Sequence, residues 1–133
     1  MQKQKVMEKP IVFNAKECPE CSIPKGWGHE IIFENNEKYC GKLLVFKEGC
    51  EFSMHYHIIK DEAWYVKEGK FLYRWIDTET GDVKEQTLKE GDAVRQLPGQ
   101  PHQLKAITDG TIFEVSTQHF DSDSYRIWKG DTL

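Results

Sequence analysis

Turn residues divide this chain into short segments in which apolar and polar positions alternate. From Gly69 onward the turns recur about every 8–12 residues, the spacing typical of sandwiches and barrels. The strand-like segments between turns are 30–33, 39–47, 63–67, 71–76 and 111–117. No segment carries a convincing apolar stripe with the period of a helix. We therefore predict an all-β domain built as a double-sheet jelly roll.

Length and composition agree with one globular domain. The chain has 133 residues, of which 38% are hydrophobic and 30% charged, so it can bury a core of its own. Residues 1–10 lack strand signals, and we predict a flexible N-terminal tail at 1–10 followed by a single domain at 11–133. Because these ten residues hold no apolar segment of a secretory signal, we expect a cytoplasmic location.

The charge of the chain excludes two classes of partner. Its formal net charge is −4, whereas nucleic-acid modules carry a basic face and anionic membrane surfaces attract basic segments. The longest strongly apolar run, 43–46, is far too short to span a membrane. We therefore expect neither a nucleic-acid partner nor a membrane partner.

Four cysteines are present, and only two of them are close in sequence. Cys18 and Cys21 form a C-x2-C pair, while Cys40 and Cys50 stand alone, so the second pair of a zinc ribbon is missing. In a reducing compartment we expect free, reduced thiols that activity does not require. A local metal or redox role for Cys18 and Cys21 is the alternative.

The sharpest chemical signal is the motif Gly49-x5-His55-x-His57-x4-Glu62-x6-Gly69. Residues two apart on a strand point to the same side, about 7 Å apart, so His55 and His57 project together. Glu62 follows after a short turn, from which a neighbouring strand can return its carboxylate. Imidazole and carboxylate ligands suit zinc, manganese, iron, cobalt or nickel. A strand pair of histidines with no metal is the alternative.

A second motif, Gly91-x7-Gly99-x2-His102, supplies a further ligand. His102 lies just beyond the Pro98-Gly99 turn and can complete a set of three histidines and one carboxylate. Four protein ligands leave open positions on a six-coordinate ion, as in catalytic rather than structural sites. We therefore predict one divalent transition metal ion bound by His55, His57, Glu62 and His102.

These two motifs resemble those of the cupin superfamily. The first matches position by position, and the second matches at Gly91, Gly99 and His102. The resemblance implies a double-stranded β-helix, or jelly-roll barrel, with the ion bound inside by the four residues named above.

A narrower resemblance covers roughly residues 24–130. The segments 25–28, 53–57, 60–64, 98–104, 112–117 and 123–126 are similar to the cupin domain of type II mannose-6-phosphate isomerases and related sugar-processing cupins. Those isomerases usually carry glutamine at the position of His55. The resemblance implies a small, sugar-like substrate and a metal-dependent isomerase that converts aldose to ketose.

Such an isomerase needs a base and a group that holds the rest of the substrate. Glu114, if Phe113 and Val115 point outward, and Lys60, beside the ligands, are the candidate catalytic residues. Arg126 is the candidate substrate-binding residue because its planar guanidinium binds phosphate or hydroxyl clusters, although it can equally pair with Asp123.

Two other functions fit the same residues. One is a metal-dependent oxygenase, and the other is a non-catalytic module that binds metal or sugar. Cupins commonly pair through sheet edges, so a homodimer is the expected assembly.

Overall fold

The protein is described here by a computed structural model over residues 9–133, and its regular secondary structure consists mainly of antiparallel strands. Two short 3-10 helices, Ala15–Glu17 and Pro19–Cys21, precede them. The strands in this part of the chain are β1 (Ser22–Lys25), β2 (Gly28–Asn35), β3 (Cys40–Phe46), β4 (Met54–Tyr56), β5 (Glu62–Glu68), β6 (Phe71–Ile76), β7 (Val83–Leu88), β8 (Ala93–Gln96), β9 (His102–Ala106), β10 (Gly110–Ser116) and β11 (Tyr125–Trp128).

The strands form two sheets that face each other. The six-stranded sheet has the order β1-β2-β3-β10-β5-β8, and the five-stranded sheet has the order β11-β4-β9-β6-β7. From β3 to β6 the chain changes sheet at every step, and within each sheet it pairs with strands distant in sequence. This is a jelly roll, and the prediction of the fold class is confirmed.

The predicted segments agree best with strands rich in aromatic and branched residues. The segment 71–76 coincides with β6, and 111–117 differs from β10 by one residue at each end. The edge strand β7 was not predicted because five of its six residues are exposed, which leaves no alternation to detect.

An apolar cluster fills one end of the space between the sheets. Its aromatic centre includes Trp27 and Phe46, whose rings stack with centroids 4.4 Å apart. Burying each such side chain contributes about 1.5–3 kcal/mol. The cluster consists of Trp27, Leu44, Phe46, Phe52, Trp64, Val66, Phe71, Tyr73, Leu88, Leu104, Ala106 and Ile112.

The prediction of reduced thiols is wrong for Cys18 and Cys21, which form a disulfide. The two consecutive 3-10 turns hold their Cα atoms 5.3 Å apart, within the range that a disulfide requires. The expectation rested on the compartment, whereas the pairing follows from this local geometry. Cys40 and Cys50 are free, as predicted.

The N-terminal tail and a membrane-spanning segment were the subjects of two further predictions. The predicted flexible tail, residues 1–10, lies outside the described residues except for Lys9 and Pro10, which are exposed. Within residues 9–133, the structure contains no helix with the length and apolar character needed to cross a membrane.

Candidate metal centre

Three histidines from the five-stranded sheet converge between the sheets. His55 lies in β4 directly opposite His102, the first residue of β9, and His57 follows β4. One ring nitrogen of each histidine lies within 4.8 Å of those of the other two. The turn before β9 is hydrogen-bonded to His57: the backbone N–H of Gly99 donates to the His57 carbonyl over 2.6 Å. Gly99 adopts a φ of 84°, which favours glycine at this turn.

The main chain orients all three imidazole rings. Nδ1 of His55 lies 2.7 Å from the Ser53 carbonyl oxygen, and Nδ1 of His102 lies 2.8 Å from that of Gln100. Nδ1 of His57 lies 2.5 Å from the carbonyl oxygen of Asp123. A carbonyl only accepts, so each Nδ1 carries the proton and donates it. The Nε2 atom of each neutral ring therefore keeps its lone pair free, as a metal ligand requires.

Two of these histidines are held in the neutral form. Burial, together with the neighbouring His102 and His57, lowers the pKa of His55 to about 3. Burial also lowers the pKa of His57 to about 4, against the opposing effect of Glu62. Neutral imidazole is the form that binds metal, so neither ring has to lose a proton near neutral pH.

Glu62, the first residue of β5, brings a carboxylate from the opposite sheet. Its Oε1 lies 2.9 Å from Nε2 of His102 and 3.9 Å from Nε2 of His57. Burial alone raises the pKa of Glu62, but the contact with His102 and the charge of Lys60 outweigh it, and the pKa lies well below its usual range. The group is therefore an anion despite being only 3% exposed.

The contact between Glu62 and His102 fits a bound cation. Nε2 of His102 is buried and forms no properly directed hydrogen bond, so a cation between this nitrogen and the carboxylate oxygen would bind both. Two ligands bound at right angles about 2.1 Å from one ion lie about 3 Å apart. The separation of 2.9 Å agrees with that value. The residues present thus fit a divalent ion held by three imidazoles and one carboxylate.

Beside this cluster lies a buried pair, Lys60 and Glu114. Nζ of Lys60 is 3.4 Å from Oε2 of Glu114 and 3.6 Å from Oε2 of Glu62, so Lys60 links the ligand carboxylate to a second one. The indole N–H of Trp64 donates to Oε1 of Glu114 over 3.2 Å. Burial and repulsion from Glu62 raise the pKa of Glu114, although Lys42 and Lys60 oppose the shift. Glu114 is 4% exposed, while its neighbour Val115 points outward at 50%.

Sequence reasoning missed the continuation of this pair through Lys42 and Glu30. Nζ of Lys42 lies 3.6 Å from Oε2 of Glu114 and 3.2 Å from Oε2 of Glu30. Burial lowers the pKa of Lys42, but the two carboxylates outweigh it and raise the pKa above its usual range. A signal existed, because alternation along β3 puts Lys42 on the face of Cys40 and Leu44. We call Glu62, Lys60, Glu114, Lys42 and Glu30 the charged row.

Asp123 has a role different from the predicted pair with Arg126. Its carboxylate accepts hydrogen bonds from the backbone N–H groups of Ile58, Ile59 and Lys60. Its carbonyl faces His57, as described above. The residue therefore holds the turn that connects two predicted ligands. Among the described residues, no carboxylate lies within ion-pair distance of Arg126, which is exposed in β11 opposite His55.

A single cavity of about 560 Å³ joins these groups. It is large enough for a small-molecule ligand. His119 and Asp121, whose side chains form a hydrogen bond of 2.8 Å, also border it. Among the residues predicted for the site, His102 is buried in the histidine cluster and does not line the cavity. The others line it: His55, His57, Lys60, Glu62, Glu114 and Arg126.

The sequence profile of the cupin domain matches residues 42–116, more than half of the chain. The chain belongs to the cupin family. Both sequence motifs lie entirely within the matched region, as do the ligand candidates His55, His57, Glu62 and His102. No curated protein sequence matches this cupin significantly.

Several solved structures share the fold of this cupin. Oxalate decarboxylase from Bacillus subtilis is similar with a TM-score of 0.72 and 18% identity over 86% of this chain and 31% of that one. The capsular polysaccharide assembling protein CapF from Staphylococcus aureus gives 0.71 and 19%, over 79% of this chain and 31% of that one. KdgF from Halomonas sp. gives 0.61 and 20%, over 71% of this chain and 81% of that one.

At these identities the likeness shows the barrel fold. This cupin spans about a third of the oxalate decarboxylase and CapF chains, at 31% of each. The chemistry of this cupin therefore has to be argued from its own cavity.

Proposed function

We propose that this cupin is a metal-dependent isomerase that interconverts the aldose and ketose forms of a sugar or sugar phosphate. The observation that carries the proposal is the buried pair of Lys60 and Glu114, 3.4 Å apart in the cavity that also contains the histidine cluster. Isomerisation needs an electrophile and a proton-transfer group that reach the same two carbon atoms, and this cavity offers both.

The ligand set supports the electrophile. A divalent ion held by His55, His57, Glu62 and His102 would polarise the substrate's hydroxyl and carbonyl oxygens. The carbonyl contacts at Nδ1 keep the rings turned toward that position. Asp123 keeps the turn from residue 58 to residue 60 in place, which fixes His57 relative to Glu62.

Glu114 is the proposed base. Trp64 holds its Oε1, so its Oε2 is left facing Lys60 and the cavity. A carboxylate with a raised pKa is a stronger base than an exposed one. It takes the proton from carbon 2 of the aldose and returns it to carbon 1, while the hydroxyl proton of carbon 2 passes to the oxygen of carbon 1, which gives the ketose without any oxidant. Lys60 is the alternative base, and otherwise its ammonium group stabilises the charge that develops on the substrate oxygens.

The substrate class has two further supports. Arg126 lines the mouth of the cavity without an ion-pair partner among the described residues, so its guanidinium can hold the distal end of a substrate. The structurally similar CapF is a capsular polysaccharide assembling protein, which favours carbohydrate chemistry. A homodimer and a cytoplasmic location stay predictions.

The test is a screen of free and phosphorylated sugars with each divalent metal in turn. Glu114→Gln keeps the shape of the side chain and removes the base, and it should lower turnover about 10²–10⁴-fold with the metal retained. Lys60→Met tests the other base, and Glu37→Gln, an exposed change in the turn before β3, is the control. The reaction in heavy water should place deuterium at carbon 1 of the ketose.

Three outcomes would contradict either the isomerase activity or the assignment of the catalytic base. Turnover that needs both iron and dioxygen supports the oxygenase, and metal or sugar binding without any turnover supports the binding module. Full activity in both Glu114→Gln and Lys60→Met excludes the proposed proton transfer.

A further inference from the structure

Lys42 and Lys60 are two buried cations whose donor groups are only partly used. Each is 3% exposed, and both line the cavity. An ammonium group has three N–H donors. Within hydrogen-bond distance Lys42 has one described side-chain acceptor, Glu30, and Lys60 has one, Glu114. Buried donors are normally satisfied, so the remaining N–H groups are available to acceptor oxygens inside the cavity.

The charge of the row changes sign when the metal site is filled. The three carboxylates and two ammonium groups of the charged row leave a net charge of −1 when all are ionised. A divalent ion on three neutral histidines and Glu62 converts this to +1. At the mouth, the charges of Arg126 and Lys25 are offset by those of Asp121 and Asp131. The loaded cavity therefore keeps this single positive charge, which one anionic group of the substrate would neutralise.

We infer that the substrate of this cavity carries an anionic oxygen group, a carboxylate or a phosphate, and that Lys42 selects for it. The inference rests on the proposed function, because it names the class of sugar on which the site acts. Lys42 suits this role better than Lys60. Lys60 contacts the ligand carboxylate of Glu62, whereas Lys42 is separated from the metal ligands by Glu114. The side chain of Lys42 extends from β3, a central strand of the six-stranded sheet, and this strand is a rigid support for the ammonium group.

The test compares three four-carbon probes of matched shape on protein reconstituted with one divalent ion: erythritol, erythronate and erythritol 4-phosphate. Calorimetry measures the affinity of each, and elemental analysis confirms the metal content. We expect both anions to bind at least about 10-fold more tightly than the neutral polyol, since hydrogen bonds to charged groups are the stronger ones. If erythronate binds more tightly, the substrate carries a carboxylate; if erythritol 4-phosphate binds more tightly, it carries a phosphate.

Variants of Lys42 then locate the selectivity. Lys42→Met keeps the stem and should weaken anion binding roughly 10- to 100-fold, with little change for erythritol. Lys42→Arg keeps the charge and should recover most of the affinity. Lys38→Met removes an exposed lysine from the turn between β2 and β3, and serves as the matched control.

A double variant tells whether anion binding weakens because the donor groups of Lys42 are lost, or because the net charge or the folding has changed. Lys42→Met with Glu30→Gln removes the buried pair together, so the net charge stays the same and no unpaired Glu30 remains. If Lys42 itself holds the anion, the double variant binds it as weakly as Lys42→Met does. Recovery of wild-type affinity in the double variant would overturn the role of Lys42.

The failure of this inference differs from the failure of the proposed function. Equal affinity for erythritol and both anions overturns the inference even if sugar isomerisation is observed. Selective anion binding without isomerisation of any sugar overturns the proposed function and leaves the anion site intact.

Discussion

The two ends of the barrel interior contain opposite kinds of side chain, although the same strands run through both. On β3, Lys42 faces the metal end while Phe46 belongs to the apolar cluster. On β10 the corresponding residues are Glu114 and Ile112, both at most 4% exposed. Alternation decides which face of a strand is buried, and position along the strand decides whether the buried residue packs or does chemistry.

Trp64 belongs to both ends, since it packs in the apolar cluster and donates to Glu114, but most of the other residues serve either folding or function. The apolar end removes aromatic and aliphatic surface from water, which is the main driving force of folding. The charged end carries buried ions whose desolvation is costly even when they are paired, so it adds little to stability. Changes at the two ends should therefore affect different measurements.

The largest expected effect is at the metal end. His57→Ala removes a central ligand and should abolish metal content, while the apolar cluster keeps the barrel folded. Elemental analysis and circular dichroism of the same sample measure both quantities. His29→Ala, a histidine of β2 outside the cluster, is the control and should keep one ion per chain. Stoichiometric metal in a variant with alanine at positions 55, 57 and 102 would show that the site lies elsewhere.

The second effect is the counterpart at the apolar end. Phe71 is 0% exposed, and Phe71→Ala should lower the free energy of unfolding by about 3–5 kcal/mol through lost burial and a residual cavity. Urea denaturation with and without metal measures the loss. The fraction that remains folded should still bind one ion per chain. Loss of metal from fully folded Phe71→Ala would show that the two ends are not independent.

The sequence was enough to predict two strands and the four ligand candidates, but not the buried Lys42 at the metal end. Aromatic and branched residues in alternation were enough to place β6 and β10, and motif spacing was enough to select His55, His57, Glu62 and His102, which lie together. Lys42 was missed because a lysine within a strand-like segment is usually on the exposed face. Only the carboxylates beside it make its burial tolerable: Glu30 from the preceding strand, and Glu114 from β10, which is distant in sequence.

Long-range contacts explain the other errors. One of the two alternatives for Arg126 was a pair with Asp123, three positions away, but Asp123 instead caps a turn more than sixty residues earlier. Sheet order decides this contact, since β11 lies beside β4. Periodicity within one segment carries no information about which strands become neighbours.

The third effect tests Asp123 as a positioning residue. Asp123→Asn replaces one acceptor oxygen with an N–H₂ group facing the backbone donors of residues 58–60, which should loosen the turn between His57 and Glu62. Residues that support metal ligands typically change metal affinity 10- to 100-fold. Competition with a chromogenic chelator measures the affinity. Asp109→Asn is the control, since Asp109 accepts from the Glu48 N–H at a distant turn. An unchanged affinity in Asp123→Asn would make the contact merely structural.

The smallest effect belongs to the disulfide, which lies outside both ends of the interior. Cys18 and Cys21 enclose a very short loop before β1, and closing so short a loop restricts the unfolded chain by at most about 2 kcal/mol. Serine at both positions should therefore cost less than Phe71→Ala and leave one ion per chain, because no described metal ligand comes from this segment. Parallel measurements of unfolding and metal content test both points, and reduction of the unmodified protein should reproduce the variant's stability. A fall from two ions to one would instead assign a second metal to this pair of cysteines, and would extend the metal chemistry of the chain beyond the barrel.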